Sequence, residues 1–227
     1  MLKLDERLAL CASFVRKKSH IADIGSDHAY LPVYLAKKGY ISSALACDIR
    51  HGPLENARKN IEKNHLSHII KTLLSDGLDQ VPKEQTDDII IAGMGGELIV
   101  KIISRCEWLK NENKHLILQP MTKANVLRKF LCENGFCIID EKACISAGKP
   151  YSAMLCCYDG ISRTYNDEFL FIGTLGESTS TENKYYISAV SAKLKKKILG
   201  YAINSEEYLR TQKLIQKFDK MCMEDYL

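Results

Sequence analysis

The 227-residue chain has no apolar run approaching the roughly 20 residues of a membrane span. A transmembrane protein is therefore not expected. The opening stretch MLKLDERLALCASFVRKK carries acids early and lacks an uninterrupted apolar centre, so it does not read as a secretory leader. No internal repeat or low-complexity tract is present. The nine cysteines have no regular spacing, and their odd number argues against a disulfide framework. Free thiols in a reducing cytoplasm are expected instead. Cys132 and Cys137 come nearest to a zinc pair, but one lies in a helix-like pattern, the other in a strand-like pattern, and no second pair follows. No metal is expected. The single tryptophan, Trp108, reads as a helix anchor packed on a sheet.

What remains is the composition of a soluble globular protein, 46% apolar and 26% charged. The length suits one domain and a small appendage. Leu4, Leu8, Cys11, Phe14 and Val15 give the N-terminal segment one apolar side, as in an amphipathic helix. Strand-like and helix-like patterns then alternate to about residue 160. Strands are expected at HIADIG, SALACDI, IIKTLLSDG, DDIIIAG and KHLILQP. Helices are expected at AYLPVYLAKKG, GPLENARKNIEKN, GELIVKIISRCEWL and KANVLRKFLCENG. Such alternation predicts a parallel sheet with helices on both faces. Two further strands joined around Gly148-Lys149-Pro150 break it as a hairpin, which predicts an antiparallel strand closing one edge.

After Gly160 the pattern changes. A polar, turn-rich stretch with an apolar knot at Phe169–Ile172 reads as a docked linker. Ile187, Val190, Leu194, Ile198 and Tyr201 then recur at helical spacing, as do Ile215, Phe218 and Cys222. Gly200 supplies a break and Asn204-Ser205 an N-cap, so two antiparallel helices are expected. The division is residues 1–160 and residues 161–227. Residues 181–227 hold nine Lys/Arg against six Asp/Glu and carry most of the net charge of +4. Lys193, Lys195, Lys196 and Lys197 are placed on the outer side of the hairpin. That charge suits a polyanion, or is only a solvated helix face.

The first strand–turn–helix, IADIGSDHAYLPVYL, is where an open parallel sheet usually takes its ligand. A dinucleotide needs G-x-G-x-x-G. Counted from Gly25, the second and third glycines are Asp27 and Tyr30. A carboxylate beside a pyrophosphate is repulsive, and a tyrosine blocks close packing, so that reading fails. A P-loop fails for want of G-K-[ST]. A cationic ligand without phosphate fits better. S-adenosyl-L-methionine carries a sulfonium and an ammonium that favour the acids Asp23 and Asp27. Asp48 ends the second strand, where a carboxylate can bind ribose hydroxyls. Asp76-Gly77 ends the third, where an acid can accept from an adenine amino group. Gly93–Gly96, GMGG, ends the fourth and leaves open space for a methyl acceptor. A methyltransferase acting on a small molecule or a protein, and a non-catalytic RNA-binding relative, stay open on these patterns alone.

The segments DIGSDHAYLPVYL, ACDIRHGPLENARKNI, SDGLDQV, IIIAGMGGELI and LILQPM, with the two-helix tail, resemble the bacterial tRNA methyltransferases that modify N1 of adenine 22. The resemblance runs over essentially the whole chain. It implies a class I Rossmann-like α/β fold with a seven-stranded sheet, one strand reversed, and a coiled-coil-like C-terminal hairpin that helps hold tRNA. It implies a cofactor site along Asp23, Gly25, Ser26, Asp48, Ile49, Asp76, Gly77, Gly93, Met94 and Gly95. It also implies an essentially monomeric protein. Relatives often carry Asn after the Gln-Pro, where this chain has Met121.

The adenine N1 of such a substrate already has a lone pair, so no strong base is needed. A carboxylate near the base would stabilise the positive charge it acquires. Asp27 is placed in that role, or only binds the cofactor ammonium or caps the next helix. His28 assists proton loss from the amine, contacts RNA, or is a plain turn residue. Tyr30 stacks on an extruded adenine or packs beneath the turn. Arg50, with His51, faces the cofactor, the RNA or solvent. Arg50 and the four tail lysines are the candidate RNA contacts.

Overall fold

The helix and strand signals become, in chain order, α1 (Glu6–Phe14), β1 (His20–Ile24), α2 (Tyr30–Lys37), β2 (Ser43–Asp48), α3 (His51–Lys63), β3 (Ile70–Leu74), β4 (Asp88–Gly95), α4 (Gly96–Ser104), β5 (His115–Thr122), α5 (Ala124–Glu133), β6 (Phe136–Ser146), β7 (Lys149–Tyr158), α6 (Asp167–Ile172), α7 (Thr181–Ile198) and α8 (Glu206–Met223). The structure is a computed structural model that describes residues 3–223. Its seven strands form one sheet in the order β3-β2-β1-β4-β5-β7-β6. β1 to β5 are parallel, and β7 runs antiparallel to both neighbours.

The reversed strand is therefore not at the edge, as the hairpin pattern had suggested, but one place in. Ala153, Met154 and Cys156 of β7 are fully buried, which suits a strand covered on both faces. β6 instead carries Asp140 and Lys142, an exposed ion pair that an edge strand tolerates and a central one does not. Ala147 and Gly148 join the two strands with positive φ at both positions (48° and 71°), as a tight two-residue hairpin turn needs.

Side-chain alternation along the central strands makes two cores. Ile89 and Ile91 of β4 join Leu116 and Leu118 of β5 beneath α4 and α5. Ile90 and Ile117 point to the other face, under Leu4, Phe14, Leu31, Leu35 and Ile61 from the N-terminal segment, α2 and α3. The expected α4 stops five residues early, at Ser104. Trp108 sits on a separate 3₁₀ turn, Glu107–Leu109, half-buried against the α4 face.

The expected linker is largely helical. Asn166 caps α6 through a bond from the Phe169 N–H (2.9 Å), and Ser180 caps α7 in the same way. Ser205, not Asn204, caps α8 by accepting from Tyr208 N–H (3.1 Å). α7 and α8 pack around Ile187, Leu194 and Phe218, joined by Ile172 of α6. Contacts of Lys184 with Cys222 and of Lys195 with Asp219 establish their antiparallel course.

One side chain ties this appendage to the sheet. Arg128 of α5 is fully buried and pairs with buried Glu141 of β6 (2.6 Å). Its Nη1 donates to the carbonyls of Leu170 and Phe171 at the end of α6, both 2.9 Å, and Nη2 to Tyr186 of α7 (3.4 Å). Gly173 lies against the pair so closely that a Cβ there would overlap the Glu141 carboxylate. Replacing Arg128 with Ala strands Glu141 without a counter-charge. Arg128→Ala is expected to cost about 3–5 kcal/mol in urea unfolding. The Arg128→Ala/Glu141→Ala double variant should lose less than the sum of the two single changes.

Candidate active site at the carboxyl edge of the sheet

The chain turns from β1 into α2 over five residues. Gly25 takes φ 78°, and the N–H groups of Gly25 and Ser26 both donate to the Cys47 carbonyl of β2 (2.8 and 2.9 Å). A Cβ on Gly25 would run into Met94 Cε near the end of β4. The one glycine of this turn thus serves both its left-handed backbone and its approach to the neighbouring loop.

Asp23, the next-to-last residue of β1, is buried, with Ser26 Oγ donating to its Oδ2 (2.6 Å). Burial pushes its carboxyl up to about 6, against the Ser26 bond, which pulls it down. Among the described residues no Lys or Arg forms an ion pair with it. A carboxylate held in this way favours a cation that the chain itself does not supply.

Asp27, His28 and Tyr30 form the rim. Asp27 Oδ2 lies 3.4 Å from His28 Nε2, and the His28 and Tyr30 rings stack at 5.0 Å. Tyr30 does not pack beneath the turn; it is 44% exposed. Ala29, between them, is left-handed (φ 51°) and begins α2 with no side-chain cap, so Asp27 does not cap this helix. Asn60 of α3 donates to the His28 carbonyl (2.7 Å) and holds the rim from below.

At the second strand end, Asp48 is buried and its Oδ1 accepts from Arg50 N–H (2.9 Å). The Arg50 guanidinium is mostly exposed, with Nε 3.6 Å from the same oxygen. Ile49 is 60% exposed, unusual for an isoleucine in a packed turn, and offers an apolar platform beside Asp48. At the third, the Asp76 carboxylate accepts from Arg105 (3.2 Å), which keeps it below the usual range. Ser75 Oγ donates to Gly77 O and accepts from Gln80 N–H, which shapes this turn.

The GMGG loop is less open than its composition suggested. The β4–β5 register slips on both sides of Met94. A side chain on Gly95 would press on Thr122 Oγ1 (3.2 Å), and one on Gly96 would collide with the Lys123 carbonyl. Those glycines are required by packing against the start of α5. Gly93 alone faces space, with Arg7 Nη1 at 4.0 Å from the place of a Cβ.

The tail lysines do not share one outer face, because a helix turns by 100° per residue. Lys195 is ion-paired with Asp219 (2.7 Å). Lys193 lines a cleft between α7 and the ends of β5 and β7, with Tyr151, Phe171 and Tyr186. Lys197 lines another with Tyr201 and Arg210. Lys196 is exposed.

Sequence reasoning missed Arg7, Gln119, Asn60 and Arg105. Gln119 had a signal, as a polar residue inside the apolar run LILQP. Arg7 had none, because apart from Asp5 its hydrogen-bond partners, Gln119 and Met121, lie more than a hundred positions away.

Residues 4–154 match the methyltransferase domain family. The chain is 38% identical over 168 residues to the tRNA (adenine(22)-N(1))-methyltransferase of Bacillus subtilis (strain 168), covering 71% of each chain. The chain belongs to this methyltransferase family. A Streptococcus pneumoniae structure in complex with S-adenosyl-L-methionine superposes with a TM-score of 0.84 at 32% identity, over 97% of this chain and 100% of that one. The M. capricolum TrmK structure with the cofactor product S-adenosyl-homocysteine gives 0.79 at 28%, over 96% and 97%. The likeness thus includes the two-helix tail, and this methyltransferase has the seven-stranded fold with one reversed strand that the motifs implied.

The Asp23 carboxyl titrates at about 6 in the fold against an ordinary 3.8. The folded protein therefore keeps a proton that the unfolded chain releases between those values. The stability that comes with the protonated form is complete below about 3.8 and is lost as pH rises through 6. Asp23→Asn removes that loss. The ligand-free variant should be more stable than the unsubstituted protein at pH 7.5, by about 1–3 kcal/mol, and no more stable near pH 4. Thermal or urea unfolding at both pH values reads the difference.

Proposed function

We propose that the protein transfers the methyl group of S-adenosyl-L-methionine to N1 of adenine 22 in tRNA. The observation that carries this reading is the buried, uncompensated Asp23 at a single-glycine turn, in line with Asp48, Asp76 and the Gly93 loop. These residues fit a ligand with a cationic amino-acid end, a ribose and an adenine. Asp23, Gly25 and Ser26 hold the cationic end. Asp48 accepts from the ribose hydroxyls through the carboxylate edge that Arg50 N–H leaves open. Ile49 lies against the adenine, Asp76 and Gly77 read its edge, and Gly93, Met94 and Gly95 border the side from which the acceptor comes. When bound, the cofactor supplies an electrophilic methyl group on a sulfonium.

The chain's own part is placement and charge. The adenine N1 needs no deprotonation before attack. Transfer would form the N1–C bond as the carbon–sulfur bond breaks, leaving the sulfur neutral and the base cationic, and the exposed Asp27 carboxylate stabilises that charge. His28, beside Asp27, takes or relays the proton of the exocyclic amine. Tyr30, stacked on His28, continues a flat surface on which an extruded base can rest. Residues 1–160 carry the chemistry, and residues 161–227 hold the tRNA. Arg50, Lys193, Lys196 and Lys197 reach phosphates; Lys195 contributes less because Asp219 already holds it. The protein acts as a monomer in the cytoplasm and needs no metal.

The deciding experiment incubates the protein with an unmodified tRNA transcript and labelled cofactor, then maps methylated nucleosides by mass. Label at N1 of adenine 22 is expected; label on another base, or none, rejects the assignment. In that assay Asp27→Ala should lower kcat by roughly 10²-fold while the cofactor Kd, from isothermal titration, stays within about threefold. Asp23→Asn should show the reverse emphasis, with cofactor affinity weakened tenfold or so. Reversing Lys193, Lys196 and Lys197 to Glu should weaken tRNA binding and flatten its salt dependence by roughly one unit of slope per lost phosphate contact. Cofactor binding should not change.

A further inference from the structure

The Gly93 loop is not held by its own strand alone. Its N–H donates to Oε1 of Gln119 (3.1 Å), whose side chain is fully buried at the end of β5. The same oxygen accepts from Arg7 Nη1 (3.4 Å), and the Gln119 Nε2 donates to the Pro120 carbonyl (3.1 Å). A buried amide has two orientations of nearly equal shape but opposite polarity. Two donors converging on one side of Gln119, and a carbonyl on the other, leave only one of them satisfied. Turned over, the amide would set its NH₂ against the Gly93 N–H and a guanidinium.

Arg7 is itself fixed from four directions. Nη2 pairs with Asp5 (2.7 Å), Nη1 also donates to Met121 Sδ (3.3 Å), the guanidinium lies over the Tyr151 ring (5.4 Å), and Gly93 borders its open side. Asp5 in turn caps α1 through the Leu8 N–H (2.9 Å). The N-terminal helix, the end of β4, the end of β5 and the β6–β7 hairpin thus meet at one guanidinium, beside the face through which an acceptor reaches Gly93.

We infer that Arg7 is a positioning residue for methyl transfer: through Gln119 it holds the Gly93 loop and, through Sδ, Met121 in the geometry that admits the acceptor base. This rests on the methyltransferase reading above. It assigns Arg7 no contact with cofactor or phosphate. Met94, next to Gly93, reaches the Gly25 turn, so cofactor affinity is measured alongside the rate.

The test is Arg7→Met, close in length and without charge, assayed on the intact protein by single-turnover methylation of unmodified tRNA, cofactor titration and thermal unfolding. The single-turnover rate should fall by roughly tenfold or more, because small displacements of reacting groups are costly. Cofactor Kd and the salt slope of tRNA binding should stay within about twofold, since neither ligand touches the replaced group. Gln119→Leu removes the shared acceptor and should itself lower the rate; combined with Arg7→Met it should cost less than the product of the two single effects, a coupling that independent sites would not show. Arg7→Lys, which restores one donor, should recover part of the rate. A normal rate in Arg7→Met overturns the inference. So does a lowered rate that follows weakened cofactor binding, a reduced salt slope with normal saturated rate, or a loss accounted for by unfolding at the assay temperature. Failure of the methyltransferase reading would look different, because the unsubstituted protein itself would not methylate the transcript.

Discussion

A carboxylate kept out of water without a partner is expensive, and the end of β1 is built around one. Asp23 is shielded by the turn that follows it, and Ser26 gives it a single hydrogen bond. The turn can lie this close because Gly25 bends back toward β2 and its N–H, with that of Ser26, is satisfied by the Cys47 carbonyl. The same glycine lets Met94 approach from the next strand. A burial cost at β1, a hydrogen-bonded turn and a contact across to β4 are therefore one arrangement. It makes sense energetically if a cationic ligand completes it. Stability surrendered at such a site in the ligand-free state is regained on binding.

The second buried charge works in the opposite sense. Arg128 has its carboxylate, Glu141, and two helix-end carbonyls, so its donors are largely satisfied by the chain itself. It joins α5, β6, α6 and α7, which belong to different segments of the sequence. The carbonyls it takes are those that the C-terminal end of α6 leaves without an intrahelical partner. The tail is thereby held at a set distance from the carboxyl edge of the sheet. A cleft of about 120 Å³ opens between them, walled by Tyr151, Phe171, Tyr186 and Lys193.

Periodicity was enough to locate nearly every helix and strand before residue 160, because each central strand is apolar on both faces and each helix on one. The residues that close four of the strands stand out for a related reason. Asp23, Asp48 and Gly93 each break an apolar run, and Asp76 follows one after Ser75. Position in the sheet was another matter. Nothing in the residues of β6 and β7 taken singly states which lies inside; that follows from β7 matching the apolar side of β5 while β6 keeps its charges at the edge. The glycines of GMGG also looked alike in sequence, yet Gly95 and Gly96 make room for Thr122 and Lys123, and Gly93 alone borders open space.

The sequence by itself determined the class of fold, the acidic and glycine residues that close its strands and the sign of the charge they carry, since these depend on local pattern and on residue chemistry. Only the tertiary structure decided that Asp23 has no counter-charge, that Asp27 and Tyr30 stand on the rim, that Lys195 is already paired, and that Arg7 and Gln119 brace Gly93. Each of those facts is a matter of burial or of contact between separate elements. Burial and electrostatic energy depend on distances in space, and no count of residues or spacing along the sequence contains them.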